Sequence, residues 1–134
     1  MDGGVPVQLT NQLSRSPAVS PDGKSIAYTC FDPKANPRQR LAIMPFDGEA
    51  PTKVFGIDGD NPNLLVRWCP MDALFFMFEA IPGISGVNRF QGGTEAITHF
   101  DQNLVLDFDI SRDGKSIVLD RYTETNRVTL IRDV

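Results

Sequence analysis

Two aspartates flank a phenylalanine in Asp107-Phe108-Asp109. Side chains alternate between the faces of a strand, so the two carboxylates share one face. Such a pair offers a polar lining to a channel, or oxygen ligands to a cation. Asp58-Gly-Asp60-Asn61-Pro-Asn63 also places oxygen donors at alternate positions, as the start of a calcium loop does. It lacks the downstream glutamate that completes such a loop, and it reads as a turn. His99 is the only histidine, in Thr98-His99-Phe100, with no candidate nucleophile near it in the sequence. One histidine makes no histidine-rich metal site. Cys30 and Cys69 match no zinc spacing and stand in apolar, strand-like surroundings. They are expected to be buried small hydrophobes. Gly-x-Ser-x-Gly, P-loop and His-Glu-x-x-His motifs are all missing from the sequence. The expectation is a chain with no catalytic residues, no cofactor and no metal.

The elements that position these residues follow from composition and repetition. Apolar residues make up 41% and charged residues 22%, the balance of a globular protein. Eleven glycines and ten prolines suit short strands and tight turns better than long helices. Net charge is −4 and the thirteen basic residues are scattered. Nucleic-acid binding is not expected, because no basic stripe is present to neutralise phosphates. Membrane insertion is not expected either, since no run of about 18 apolar residues occurs. The first residues contain neither a basic nor an apolar stretch of the kind that begins an export signal.

Three segments align: Pro17-Ala-Val-Ser-Pro-Asp-Gly-Lys-Ser-Ile-Ala-Tyr28, Val66-Arg-Trp-Cys-Pro-Met-Asp-Ala-Leu-Phe-Phe-Met77 and Phe108-Asp-Ile-Ser-Arg-Asp-Gly-Lys-Ser-Ile-Val-Leu119. A second marker recurs as Asp2-Gly3-Gly4, Asp47-Gly48-Glu49 and Gln91-Gly92-Gly93, with starts 45 and then 44 residues apart. A strand is expected after each, over 5–10, 52–55 and 95–98. A period in the forties with four short strands per unit predicts blades of a β-propeller. In the first unit the strands are expected at 17–20, 25–30, 40–46 and 51–55. Asp22-Gly23 and Asp113-Gly114 turn the first strand into the second, where glycine accepts a positive φ. The middle unit carries Pro70-Met71-Asp72-Ala73 at that place, so a differently shaped turn is expected there. Ile26 and Tyr28 should share one face of their strand, with Ala27 and Thr29 on the other. Leu74–Phe78 is apolar throughout and should be buried on both faces between blades, with Trp68 filling an interface between sheets.

These motifs resemble the TolB-type, WD-repeat-like propeller repeat, which centres on Trp-Ser-Pro-Asp-Gly-Lys and closes on Asp-Gly-Gly. Here that core stands as Val19-Ser20-Pro21-Asp22-Gly23-Lys24, as Trp68-Cys69-Pro70, and as Ile110-Ser111-Arg112-Asp113-Gly114-Lys115. The resemblance implies an all-β fold of three four-stranded antiparallel sheets. It does not imply one activity: the family includes a periplasmic component of an envelope complex, propeller domains that gate peptidases, and sensor ends of bacterial regulators.

The expected organisation is an outer strand over 1–10, then blades over 11–55, 56–98 and 99–134, the last lacking its outer strand. Propellers close with four or more blades. Three blades are therefore expected to form half of a six-bladed ring, closed by a homodimer in which each N-terminal strand completes the partner's last blade. A piece of a longer propeller gives the same pattern. Loops at one end of the blades are expected to carry a binding face: Arg15, Asp32, Arg38, Asp58, Asp60, Glu79, His99 and Arg121, with Lys34, Asn61, Asn63, Asp101, Glu124 and Arg127 nearby. Asp107 and Asp109 are expected to line the channel. The mixed charge suits a protein or peptide ligand, so the leading expectation is a non-catalytic protein-interaction or ligand-sensing module. Two alternatives stay open: an enzyme or metal site formed in the channel of a dimeric ring, and a purely architectural oligomerisation unit.

Overall fold

Short apolar runs bounded by glycine and proline leave little room for helices, and the computed structural model shows strands as the regular structure. It describes residues 4–57, 64–69, 74–81, 84–90, 94–98, 100–101, 104–122 and 127–134. The strands are β1 (Ser14–Val19), β2 (Ser25–Phe31), β3 (Gln39–Pro45), β4 (Lys53–Gly56), β5 (Val66–Trp68), β6 (Leu74–Ile81), β7 (Ile84–Phe90), β8 (Thr94–Ala96), β9 (Phe100–Asp101), β10 (Leu104–Ile110), β11 (Ser116–Tyr122) and β12 (Arg127–Arg132). They form three antiparallel meanders: β1-β2-β3-β4, then β5-β6-β7-β8, then β10-β11-β12. Among the described residues the third sheet has no fourth strand. The two-residue β9 pairs with β7, adding a fifth strand to the second sheet. Three blades of an all-β propeller are thus in place.

The turn that opens a blade is built alike in the first and third. The Ser20 hydroxyl donates to Asp22 Oδ1 at 2.6 Å, and the same oxygen accepts the Lys24 N–H at 3.0 Å. Ser111, Asp113 and Lys115 repeat this at 2.5 and 3.1 Å. Serine also closes the hairpin, since its hydroxyl accepts the N–H of Ser25 or Ser116 at 2.9 Å. Gly23 and Gly114 stand at φ of +72° and +71°, the left-handed region where a β-carbon is strained. The altered turn expected at Pro70–Ala73 lies outside the described residues.

Cores form where one blade packs on the next. Ala27 and Leu41 of the first blade meet Ile57, Leu64 and Val66, with Ala18, Ile43, Phe55 and Trp68 packed around them. Trp68 fills this interface as expected, and its indole N–H donates to the Ala18 carbonyl at 3.0 Å. Ser16 donates to the Leu64 carbonyl at 2.6 Å across the same boundary. Between the second and third blades, Cys69, Val105, Phe108, Ile117 and Leu119 form a second core. Ile26, Tyr28, Cys30, Ala42 and Met44 form a third on the far face of the first blade. The split of β2 into Ile26/Tyr28 and Ala27/Thr29 faces is therefore observed. Both cysteines are free and buried. The side chains of Leu74–Phe78 lie outside the described residues.

Two expectations about local structure change. Residues 5–10, expected as a strand, pair with no strand among the described residues. Glu79, expected in a loop, instead lies in a ladder: residues 79–81 and 84–87 continue two strands, with Glu79 opposite Ser85 and Ile81 opposite Ile84. Glycine and serine there suggested a loop, but Gly86 takes a ladder position opposite Phe78.

Candidate functional site

The first strand of each blade places polar residues where blades adjoin. β1 and β10 are irregular at corresponding points, with register shifts between Arg15 and Ala18 and between Val105 and Asp107. In β1 the shift coincides with Ser16, at a φ of 52°. In β10 it brings Asp107 toward the second blade. Arg67 of β5 donates through Nη2 to Asp107 Oδ1 at 3.2 Å. Its guanidinium also lies 5.8 Å from the centre of the Phe108 ring, within range of a cation–π attraction. Asp107 Oδ1 accepts the Phe108 N–H at 2.8 Å, and Asp109 Oδ1 accepts that of Ile110 at 2.8 Å.

An open concavity lies beside this pair, lined by Arg67, Asp107, Phe108, Asp109, Val118, Asp120 and Val128. Its placement follows from register: Asp109 pairs with Val118, Asp107 with Asp120, and Asp120 with Val128. Three carboxylates and one guanidinium therefore share a half-apolar face. The Arg67 and Asp107 side chains are both partly exposed, at 36% and 58%. An ion pair this wet adds little to stability and leaves its charges available to a ligand. Among the described residues no group of three or more histidine, cysteine or acidic side chains is arranged to hold a metal ion.

The expected binding-face residues separate into three sets. Asp32 and Arg38 do lie in the loop joining β2 to β3, where the Asp32 N–H donates to the Arg38 carbonyl at 2.9 Å and Asp32 Oδ1 accepts the Lys34 N–H at 3.0 Å. Arg15, Glu79 and Arg121 are strand residues instead, of β1, β6 and β11. The ladders run further toward that end of the blades than the turn-forming residues suggest. Arg121 is directed inward: its guanidinium carbon stands 4.0 Å from the centre of the Phe100 ring, and its Nε is buried without a hydrogen-bond partner. Asp58, Asp60 and His99 lie outside the described residues. Asp107 and Asp109 stand together on β10, as read from their alternation.

Arg67, Asp120 and Phe108 complete the site, and the sequence reading passed over them. A signal for Arg67 was available. In the aligned repeats it falls where Ala18 and Asp109 stand, so charge replaces a small residue at an innermost-strand position in two blades of three.

No family model matches this chain, and no curated protein does. Solved structures do resemble it. TolB from Acinetobacter baumannii matches with a TM-score of 0.66 at 23% identity, over 95% of this chain and 31% of that one. A prolyl endopeptidase, from work on inter-domain dynamics in catalysis and specificity, matches with a TM-score of 0.62 at 19% identity, over 89% and 20%. A putative 6-phosphogluconolactonase from Bacteroides uniformis matches with a TM-score of 0.50 at 20% identity, over 89% and 36%. This chain spans roughly a third or less of each of those proteins' lengths. At such identities the likeness establishes the propeller fold and leaves the function to the site.

Proposed function

We propose that this chain is a non-catalytic binding module of propeller type, and that it takes a basic peptide segment of a protein partner beside Arg67, Asp107 and Asp109. The observation that supports this reading most is the half-exposed Arg67–Asp107 pair at the boundary of two blades, with two further aspartates on the same concave face. Three carboxylates against one guanidinium leave a negative field on that face, which attracts lysine and arginine side chains. Val118 and Val128 supply apolar contact beside the charges. A peptide lying there would exchange water for charge-assisted hydrogen bonds, which are stronger than neutral ones.

Fluorescence anisotropy against labelled peptides of graded charge tests the proposal. Lysine- and arginine-containing peptides should bind, and acidic ones should not. Replacing Asp107 and Asp109 together by asparagine should weaken binding at least tenfold while the circular dichroism stays unchanged. Equal affinity for basic and acidic peptides would overturn the assignment. So would turnover of chromogenic ester or lactone substrates that Asp107→Asn abolishes, which would favour the catalytic alternative. A chain that binds no peptide of either charge would favour the architectural one.

A further inference from the structure

The two boundaries between successive blades are fastened in different ways. At the first, the Trp68 indole donates to the Ala18 carbonyl at 3.0 Å and the Ser16 hydroxyl to the Leu64 carbonyl at 2.6 Å. Both bonds are neutral, part-buried and end on the backbone. At the second, Arg67 meets Asp107 as a pair of charges, with side chains 36% and 58% exposed. The apolar contact between those blades lies elsewhere, in Cys69, Val105, Phe108, Ile117 and Leu119. An exposed ion pair costs little to break, so opening this one leaves the boundary in place. Nor does a boundary need the charge: in the aligned repeats Ala18 of β1 stands where Arg67 stands in β5.

Three contacts hold the Arg67 guanidinium. Nη2 donates to Asp107 Oδ1 at 3.2 Å, and Nη1 donates to the Val66 carbonyl at 3.0 Å. The guanidinium carbon lies 5.8 Å from the centre of the Phe108 ring. The Val66 bond is local, whereas the other two reach across the boundary to β10. An acceptor carboxylate beside an aromatic ring is the seat that a planar guanidinium fills, through a directed N–H and through cation–π attraction. A lysine ammonium is a compact, strongly hydrated point charge and uses such a seat less well. Phe108 and Asp107 both line the open concavity, so the seat can be reached from solvent.

We infer that Arg67 is a built-in stand-in for the ligand: it occupies the Asp107–Phe108 seat in the free protein, and an arginine side chain of the partner peptide displaces it. This rests on the basic-peptide reading and adds two things to it. The residue that enters the seat is arginine rather than lysine, and the free site is closed by its own arginine. Binding is then an exchange of one guanidinium for another, and the apparent affinity is lowered by the fraction of molecules in which the seat is already filled.

Arg67→Gln removes the competitor. It should bind a labelled arginine-containing peptide about fivefold more tightly than the parent chain, the effect of releasing one exposed pair and one cation–π contact. Lys53→Gln controls for net charge, since Lys53 is exposed on β4 of the first blade. It should change the affinity by less than about twofold, because salt screens exposed charges that are well separated. The same peptide with lysine for arginine should bind the parent about threefold more weakly. A measurement on the parent chain avoids any disturbance of β5: the Arg67 Nε–H resonance should move to the position of a free arginine side chain as the arginine peptide is added. A resonance that stays in place while the peptide binds overturns the inference. So does an Arg67→Gln chain that binds no more tightly than Lys53→Gln, and so does equal affinity for the lysine peptide. Each of these results leaves the binding proposal standing. If no basic peptide binds either the parent or Arg67→Gln, both readings fall together.

Discussion

The first and third blades open with the same serine–aspartate–glycine turn and run through the same registers, but they differ in what covers their faces. In the first blade, Ala27 and Leu41 are buried on one face and Ile26, Tyr28 and Met44 on the other. The segment before β1 is tied to that blade, with the Phe31 N–H donating to the Leu13 carbonyl at 3.1 Å. In the third blade, Phe108, Ile117 and Leu119 are buried against the second, while Val118, Val128 and Leu130 face outward. Three aspartates stand on that open face where the first blade has Ser16, Ala18 and Thr29. A blade is thus half a structure: its strand pattern is local, and its stability depends on a neighbour for each face. This is the behaviour of repeat architectures, in which interfaces between units contribute much of the folding energy.

The largest expected effect sets equivalent residues of the two blades against each other. Leu41→Ala empties a site in the core between the first and second blades and should cost about 2–5 kcal/mol in urea unfolding. Val128→Ala, at the matching place, should cost less than about 0.5 kcal/mol at concentrations where single copies prevail. A cost for Val128→Ala that grows with protein concentration would show that another copy covers the third blade. Equal costs at all concentrations would break the comparison, because the open face would then be a core within the single chain.

A smaller effect is expected from the polar link across the first boundary. Trp68→Phe keeps most of the apolar volume and removes the N–H that donates to the Ala18 carbonyl at 3.0 Å. The loss should be about 1–3 kcal/mol, since the indole hydrogen bond and part of the ring's packing are lost together. The corresponding place in the third blade is Ile110, which has no such donor. Ile110→Val should therefore cost only the small transfer and cavity terms, about 0.5–1.5 kcal/mol. If both changes cost the same, the indole hydrogen bond contributes nothing particular to the first boundary.

How much of this was legible in the sequence depends on how local each cause is. The opening turn could be read because its hydrogen bonds join residues two to five apart, all within Ser-x-Asp-Gly-Lys-Ser. The strands of the first blade followed from alternation and from turn-forming residues at their ends. The long hairpin of β6 and β7 was not legible: Ser85 and Gly86 argue locally for a loop, and only pairing with Phe78 and Glu79 overrides them. The site was legible by halves. Asp107 and Asp109 stood out through alternation alone, whereas their pairing with Arg67 joins two repeats through packing that no local pattern encodes. Phe100, which the sequence shows only as the neighbour of the lone His99, becomes the aromatic face beneath Arg121 for the same reason.

The smallest expected effect tests whether the two opening turns are equivalent in solution as well as in geometry. Asp22 is held below the usual aspartate range by the hydrogen bond from Ser20 and then by the Lys24 N–H. Asp113 is held down in the same way by Ser111 and Lys115. A carboxyl whose folded pKa is depressed contributes stability that is fully present above its unfolded value, near 3.8. That contribution is lost as pH falls through the unfolded value toward the depressed folded one. Both groups stand in water, so each contribution is small. In urea titrations, Asp22→Asn and Asp113→Asn should lower the midpoint slightly at pH 7. At pH 3 each variant should lie closer to the parent chain, because the parent has begun to lose the same interaction. The two shifts should match, as the two networks do. A shift for Asp22→Asn with none for Asp113→Asn would mean that the third blade's turn, beside its open face, is not held in solution as the first blade's is.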